Sequence, residues 1–201
     1  MKVKITTNIS VDGVMQGLGG HDEDRRGGFE RGGWVLPLGD TEAGDHINKV
    51  YGGAAAFLFG RRTYEIFSRS WGKIAEMRTH PIGVALNSKP KYVVSNTLTD
   101  SQWEGTAVLT DDIAAAVRDL KARQDGELLV PGSGVLVRWL LANNLIDELD
   151  LITYPIIIGQ GTRLFPDSGP DIALDLLTSR TTPRGITIQT YRLAGPPKYA
   201  K

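Results

Sequence analysis

"GELLVPGSGVLVRWLLANN", residues 126–144, decides how this 201-residue chain is read. Its apolar "ELLV" has the length and composition of a buried strand. After the Gly-Ser-Gly break, Val135, Leu136, Trp139 and Leu140 recur at helical spacing. A strand, a tight turn and an apolar-striped helix make a crossover unit, which implies a parallel sheet with helices on its faces. Working outward, "KYVVS" (91–95) and "TAVLT" (106–110) predict two strands. Between Asp112 and Arg123, Ile113, Ala116, Val117 and Leu120 form one apolar helical face. Upstream, residues 2–11 predict a first strand through Val3, Ile5, Ile9 and Val11, interrupted by Thr7. A helix over 41–51, a buried strand over 54–59 and a helix over 61–71 follow. Downstream, "DELDLITYPIII", "DIALDLLTSRTT" and "GITIQTYRL" carry strands with no helix between them. The expected fold is therefore α/β: a mixed, mostly parallel central sheet flanked by helices in three layers, with antiparallel C-terminal strands. Residues 1–195 are expected to form one domain, with a frayed tail over 196–201.

Charge and composition exclude several function classes. Lys+Arg and Asp+Glu both number 23, without the basic excess of a nucleic-acid binder. Cysteine is absent and the three histidines, His21, His46 and His80, are scattered, so no metal site is expected. No segment has the apolar length of a membrane span or signal peptide, and a cytoplasmic protein is expected. The stretch from Asp12 to Asp40 is dense in glycine and charge. So long a loop usually serves a function, and here a lid over substrate is expected.

Three strand ends are suited to a ligand. In "PGSG", glycines would let the backbone approach a phosphate at the start of a helix, where free N–H groups and the dipole favour an anion; a tight turn needing glycine only for its backbone angles is the alternative. In "GRRTYEIF", Arg61 and Arg62 begin a helix, the end at which positive charge is disfavoured. An anion would resolve that conflict, although a solvated pair with Thr63 as cap would also fit. In "VVSNT", Ser95 and Asn96 stand at a strand's carboxyl end, where open α/β sheets bind ligands, or simply form a turn. The three together point to a dinucleotide.

At these residues the chain resembles the dihydrofolate-reductase-like superfamily, in particular the branch containing the C-terminal reductase domain of the bifunctional riboflavin-biosynthesis deaminase/reductase. The resemblance rests on "NISVDGVM", "FLFGRRTYEIF", "KYVVSNTL" and "ELLVPGSGVLVRWLLANNLIDELDLITYPIIIGQGTRLF", in this order. It implies an NADPH-dependent reductase passing hydride to a small heterocycle, a ribosylaminopyrimidine phosphate or a pterin. By the same resemblance, Gly60, Arg61 and Thr63 would meet the cofactor phosphates, and Ser95 the adenosine ribose and its 2′-phosphate. Gly132, Ser133, Gly134 and Val135 would line the pyrophosphate and nicotinamide side. Asp12 and Gly13 would approach substrate, with Trp34, Leu36 and Pro37 as an apolar wall; an ordinary turn pair at Asp12-Gly13 and a core position for Trp34 are the alternatives. Members of the branch commonly pair, so a homodimer is implied.

In dihydrofolate reductases an acidic residue follows a Trp-x-x-Pro segment and binds the pterin. In "WVLPLGDTEAGD" the acidic candidates for such a carboxylate are Asp40, Glu42 and Asp45, Asp40 favoured and Asp45 second, while capping of a helix by Asp40 is the alternative; Asp12 at the end of the first strand is a further catalytic candidate. Arg25, Arg26, Arg31 and Arg163 are available for a substrate phosphate. A zinc deaminase half would require cysteine and is excluded. The competing class is a non-catalytic NADP-binding or regulatory module of the same fold.

Overall fold

A computed structural model describes residues 1–123 and 125–200. Eight strands form one sheet: β1 (Lys2–Ser10), β2 (Ala56–Gly60), β3 (Lys91–Val94), β4 (Thr106–Leu109), β5 (Glu127–Pro131), β6 (Glu148–Tyr154), β7 (Leu174–Thr181) and β8 (Thr187–Leu193). Their order is β4-β3-β2-β5-β1-β6-β8-β7. All pairings from β4 to β6 are parallel, whereas β6–β8 and β7–β8 are antiparallel. The mixed sheet expected from the alternation of patterns is thus observed.

Among the described residues six α-helices connect the strands: α1 (Thr41–Gly53), α2 (Arg61–Ser70), α3 (Ala75–Thr79), α4 (Pro81–Ser88), α5 (Ile113–Arg123) and α6 (Gly134–Ala142). Strand alternation assigns the two faces. Val3, Ile5 and Ile9 of β1 join Leu128 and Val130 beneath α5 and α6, which contribute Val117, Leu136, Val137 and Leu140. Phe57, Phe59, Val93 and Leu129 project the other way, against Val50 and Tyr51 of α1, Tyr64 of α2 and Leu86 of α4. A third cluster joins Val14, Phe29 and Trp34 of the long loop to Ile152, Tyr154 and Ile188. Burying one such large side chain contributes about 1.5–3 kcal/mol.

Boundaries differ from the sequence expectation for local reasons. The helix predicted over 41–51 continues through Gly52 and Gly53, so β2 begins at Ala56. The α3–α4 pair occupies 75–88, a segment without an assigned element; its entry is set by Pro81 at the first turn of α4, where a missing N–H costs nothing. β6 stops at Tyr154 because Pro155 has no N–H for the ladder. In the tail, the Tyr199 hydroxyl donates to Asp171.

Candidate functional site

A cleft of about 930 Å³ opens at the carboxyl ends of β1, β2, β3 and β5. It lies where β2 and β5 are neighbours but their following helices, α2 and α6, leave toward opposite faces. Such a divergence is where open α/β sheets leave a crevice. Two glycine turns shape it. Gly132 has φ +76° and Ser133 φ +70°, so the backbone turns through the left-handed region before α6 begins at Gly134. Across the gap, a Cβ on Gly60 would collide with the Ser133 hydroxyl. A larger residue at 60 would force the Ser133 hydroxyl to turn away and would leave the Ser133 Cβ at 3.3 Å from the added carbon.

Of the residues expected to hold cofactor, Gly60, Arg61, Thr63, Gly132, Ser133, Gly134 and Val135 all line the cleft. Arg61 and Arg62 begin α2 with no acidic side chain in its first turn. Arg61 donates to Glu65 at 2.8 Å and to the Thr97 hydroxyl. Ser95 stands one step back: its buried hydroxyl accepts from the N–H groups of Thr97 and Leu98, shaping the turn that receives Arg61.

The floor is polar. Thr6, Thr7 and Asn8 of β1 line the cleft, and Thr7 Oγ1 and Asn8 Oδ1 are buried without a hydrogen-bond partner among the described residues. An unpaired buried polar atom costs about 1–3 kcal/mol, a cost a ligand can remove. Beneath Thr6 lies Asp150, whose carboxylate is completely buried. Burial alone would raise its pKa, but hydrogen bonds from His46, Thr6 and Thr190 hold it below the usual carboxylate range.

The long loop folds over the cleft as a wall contributed by Met15, Gln16, Gly17, Leu18, Glu23, Asp24 and Arg26. Gln16 organises it. Its side chain donates to the carbonyls of Asp24 and Arg26 and accepts from Thr162, and its carbonyl accepts from the Trp34 indole. Asp24 then ties the wall to α2, accepting from Arg62 at 2.8 Å and Arg26 at 2.6 Å. Burial would raise the Asp24 carboxyl, but the two guanidinium groups lower it to about 2. Of the four arginines considered for a substrate phosphate, Arg26 lines the cleft. Arg25 pairs with Asp22, Arg31 donates to the Ile158 carbonyl, and Arg163 donates to the Asp12 carbonyl.

The expected substrate residues stand elsewhere. The Asp12 carboxylate accepts from Ser10 and from the N–H groups of Ile158 and Gly159; against the opposing effect of burial these hold it at about 2. Gly13, with φ +79°, completes that turn. Asp40 caps α1 by accepting from Ala43 and also accepts from the Arg184 N–H. Asp45 is exposed on α1. Trp34 packs edge-on against Tyr154 in the third cluster, and Leu36 and Pro37 are exposed. None of these seven residues is among the described residues lining the cleft. On the far side, the β4–α5 connection contributes Asp111, Asp112 and Ile113, none of which the sequence marked as a site residue. Among the described residues no helix is long and apolar enough to cross a membrane, and no group of three metal-ligating side chains occurs.

With this geometry in place, comparison with known proteins identifies the family. Residues 1–188 match the RibD C-terminal domain family. The chain belongs to that family. A Bacillus subtilis (strain 168) protein, YyaP, itself uncharacterised, is 24% identical over 193 residues, covering 93% of this chain and 92% of its own. Among solved structures, a Shewanella sp. PV-4 protein named for riboflavin biosynthesis superposes with a TM-score of 0.72 at 22% identity, covering 96% of this chain and 99% of its own. A pyrimidine reductase-like protein from Corynebacterium diphtheriae gives 0.65 at 17% identity, covering 96% and 91%. Enterococcus faecalis dihydrofolate reductase, solved with NADP(H) and RAB-propyl, gives 0.62 at 14%, covering 96% of each chain. These neighbours share the fold of this chain.

Proposed function

We propose that this RibD C-terminal domain protein is an NADPH-dependent reductase of a small heterocycle, of the aminopyrimidine or pterin type. The observation that carries the proposal is the cleft between the Gly60 and Gly132–Gly134 turns, with Arg61 and Arg62 at the start of α2 and an unpaired Thr7 hydroxyl on the floor. Glycine turns and the N-termini of α2 and α6 suit a pyrophosphate, and Arg61 suits the 2′-phosphate that distinguishes NADPH from NADH. The fit is also steric, since a side chain at 60 would fill the gap. When bound, NADPH supplies a hydride. The chain's own part is to hold the two rings in contact, exclude water and fix their orientation.

In this reading Thr7 hydrogen-bonds the nicotinamide end, the loop wall covers the reacting face, and Arg26 faces any phosphate on the substrate. Ser95 supports the 2′-phosphate pocket through Thr97 and Arg61. Asp12 and Asp40 serve the scaffold and Asp45 is exposed on α1, so the proton that completes reduction comes from solvent. The placement of these three carboxylates off the cleft favours a second reading, an NADP-binding module without turnover. Following NADPH consumption against a panel of aminopyrimidines and pterins separates the two: oxidation coupled to product supports the reductase, and tight binding with no oxidation supports the module.

We further propose a homodimer in the cytoplasm, residues 1–195 acting as one unit. The edge strand β7 is exposed along its whole length and carries Leu174, Leu176 and Leu177, with Ile157 exposed as well. Sedimentation as a monomer at micromolar concentration would remove the dimer.

A further inference from the structure

The buried carboxylate beneath the cleft floor has a consequence for what the cleft accepts. Thr6, Asp150 and Thr190 lie abreast on the adjacent strands β1, β6 and β8. Asp150 Oδ2 is 2.9 Å from Thr6 Oγ1 and 2.9 Å from His46 Nε2; Oδ1 is 3.0 Å from Thr190 Oγ1 and 3.2 Å from His46 Nε2. An ionised carboxylate can only accept, so each of these partners must donate to it. The single hydroxyl proton of Thr6 is therefore spent on Asp150. What Thr6 keeps for the cleft, which it lines, is its lone pairs.

Two residues along the same strand, and so on the same face, Asn8 also lines the cleft and leaves Oδ1 buried and unpaired. Asn8 carries an N–H₂ as well as this Oδ1, so the acceptor whose role is fixed by the network is Thr6 Oγ1. Resting on the reductase reading above, we infer that Thr6, oriented by Asp150, is a specificity-determining acceptor that selects heterocycles presenting a ring N–H or amino edge and discriminates against N-alkylated or acceptor-edged rings. Asp150 and His46 are positioning residues, one atom removed from the substrate. A substrate offering an acceptor to Thr6 would leave two sets of lone pairs facing each other in a buried place, and discrimination of this kind is strong because the site's own polar groups are left unpaired.

The test uses the whole protein saturated with NADPH, whose binding is measured first and separately. Uracil and 1,3-dimethyluracil are then titrated by saturation-transfer NMR. They share a ring and differ in whether the ring nitrogens carry protons. Uracil is expected to bind about five-fold or more tighter, the worth of one hydrogen bond. Thr6→Val, which keeps the shape and loses the hydroxyl, should bring the ratio near one by weakening uracil, whereas Thr6→Ser should retain it. Asp150→Asn, with folding verified by circular dichroism, should also lower the ratio by freeing the Thr6 proton. Equal or tighter binding of the dimethyl compound, no binding of either ring, or an unchanged ratio in Thr6→Val overturns the inference. If NADPH binds normally in those cases the reductase reading stands, and if NADPH fails to bind it is that reading which has failed.

Discussion

Asp150→Asn isolates the physical content of the buried network. In the native chain one carboxylate with no solvent exposure receives donors from His46, Thr6 and Thr190. Each charge-assisted hydrogen bond is worth roughly 1.5–3 kcal/mol. An asparagine offers one acceptor oxygen and replaces the other by an N–H₂, toward which a threonine hydroxyl must turn a lone pair instead of its proton. The bonds that survive are neutral, at about 1 kcal/mol each. Against that, the substitution removes the several kcal/mol spent in desolvating a charge. The expected net loss is about 2–4 kcal/mol.

Urea unfolding followed by the fluorescence of the four tryptophans is the assay. With a slope of about 2–3 kcal/mol per molar, the midpoint should fall by roughly 1–1.5 M at neutral pH. The pH dependence adds a sign. The folded pKa of Asp150 is depressed, so its stabilisation is fully present above the unfolded value of about 4 and is lost as pH falls through the folded value. The gap between wild type and variant should therefore narrow as pH falls below about 4. A midpoint shift below about 0.3 M at pH 7, or a gap that widens in acid, would refute the reasoning.

Other variants probe the cleft. Arg61→Ala should raise the NADPH dissociation constant about ten- to hundred-fold, the worth of a charged hydrogen bond to phosphate, with a much smaller change for NADH, both read by nicotinamide fluorescence. Gly132→Ala places a side chain at φ +76° with only ordinary contact to Met15, so its cost is conformational, about 1–2 kcal/mol, and the melting temperature should drop by roughly 2–8 °C. Asp24→Asn releases the tie from the loop wall to Arg62, and limited trypsin digestion after Arg25 and Arg26 should accelerate with global stability nearly unchanged. Because Asp24 is held at about 2, protection of the loop-wall amides from hydrogen exchange in wild type should persist above pH 4 and fade as pH falls toward 2.

The scaffold was legible where periodicity is strong. The α5 stripe, the β5–α6 crossover and the helix-free C-terminal strands all carry their pattern locally, and each forms as read. The pair α3–α4 was not, because α3 has only five residues and α4 carries a proline and a glycine in its first turn. At the site, the glycine turns announced themselves, since few residues but glycine suit Gly60's close approach or Gly132's backbone angle. Thr6, Asn8 and Asp150 did not, because their significance is a cross-strand register, Thr6 beside Asp150 and Asp150 beside Thr190, that only the folded sheet creates. A signal was present: one carboxylate stands in the otherwise apolar "LDLITY", and three polar residues interrupt β1. The Trp34–Pro37 segment matched its superfamily pattern by sequence, yet Trp34 turns into the third core cluster, held by Gln16 and Tyr154.

Titration of the purified protein with NADPH and, in parallel, NADH tests the central claim most directly. The geometry of Gly60, Arg61 and the Gly132–Gly134 turn predicts saturable NADPH binding, with NADH at least ten-fold weaker for want of the 2′-phosphate. Equal affinity for the two would contradict the role given to Arg61, and binding of neither would contradict the assignment of the cleft to a dinucleotide.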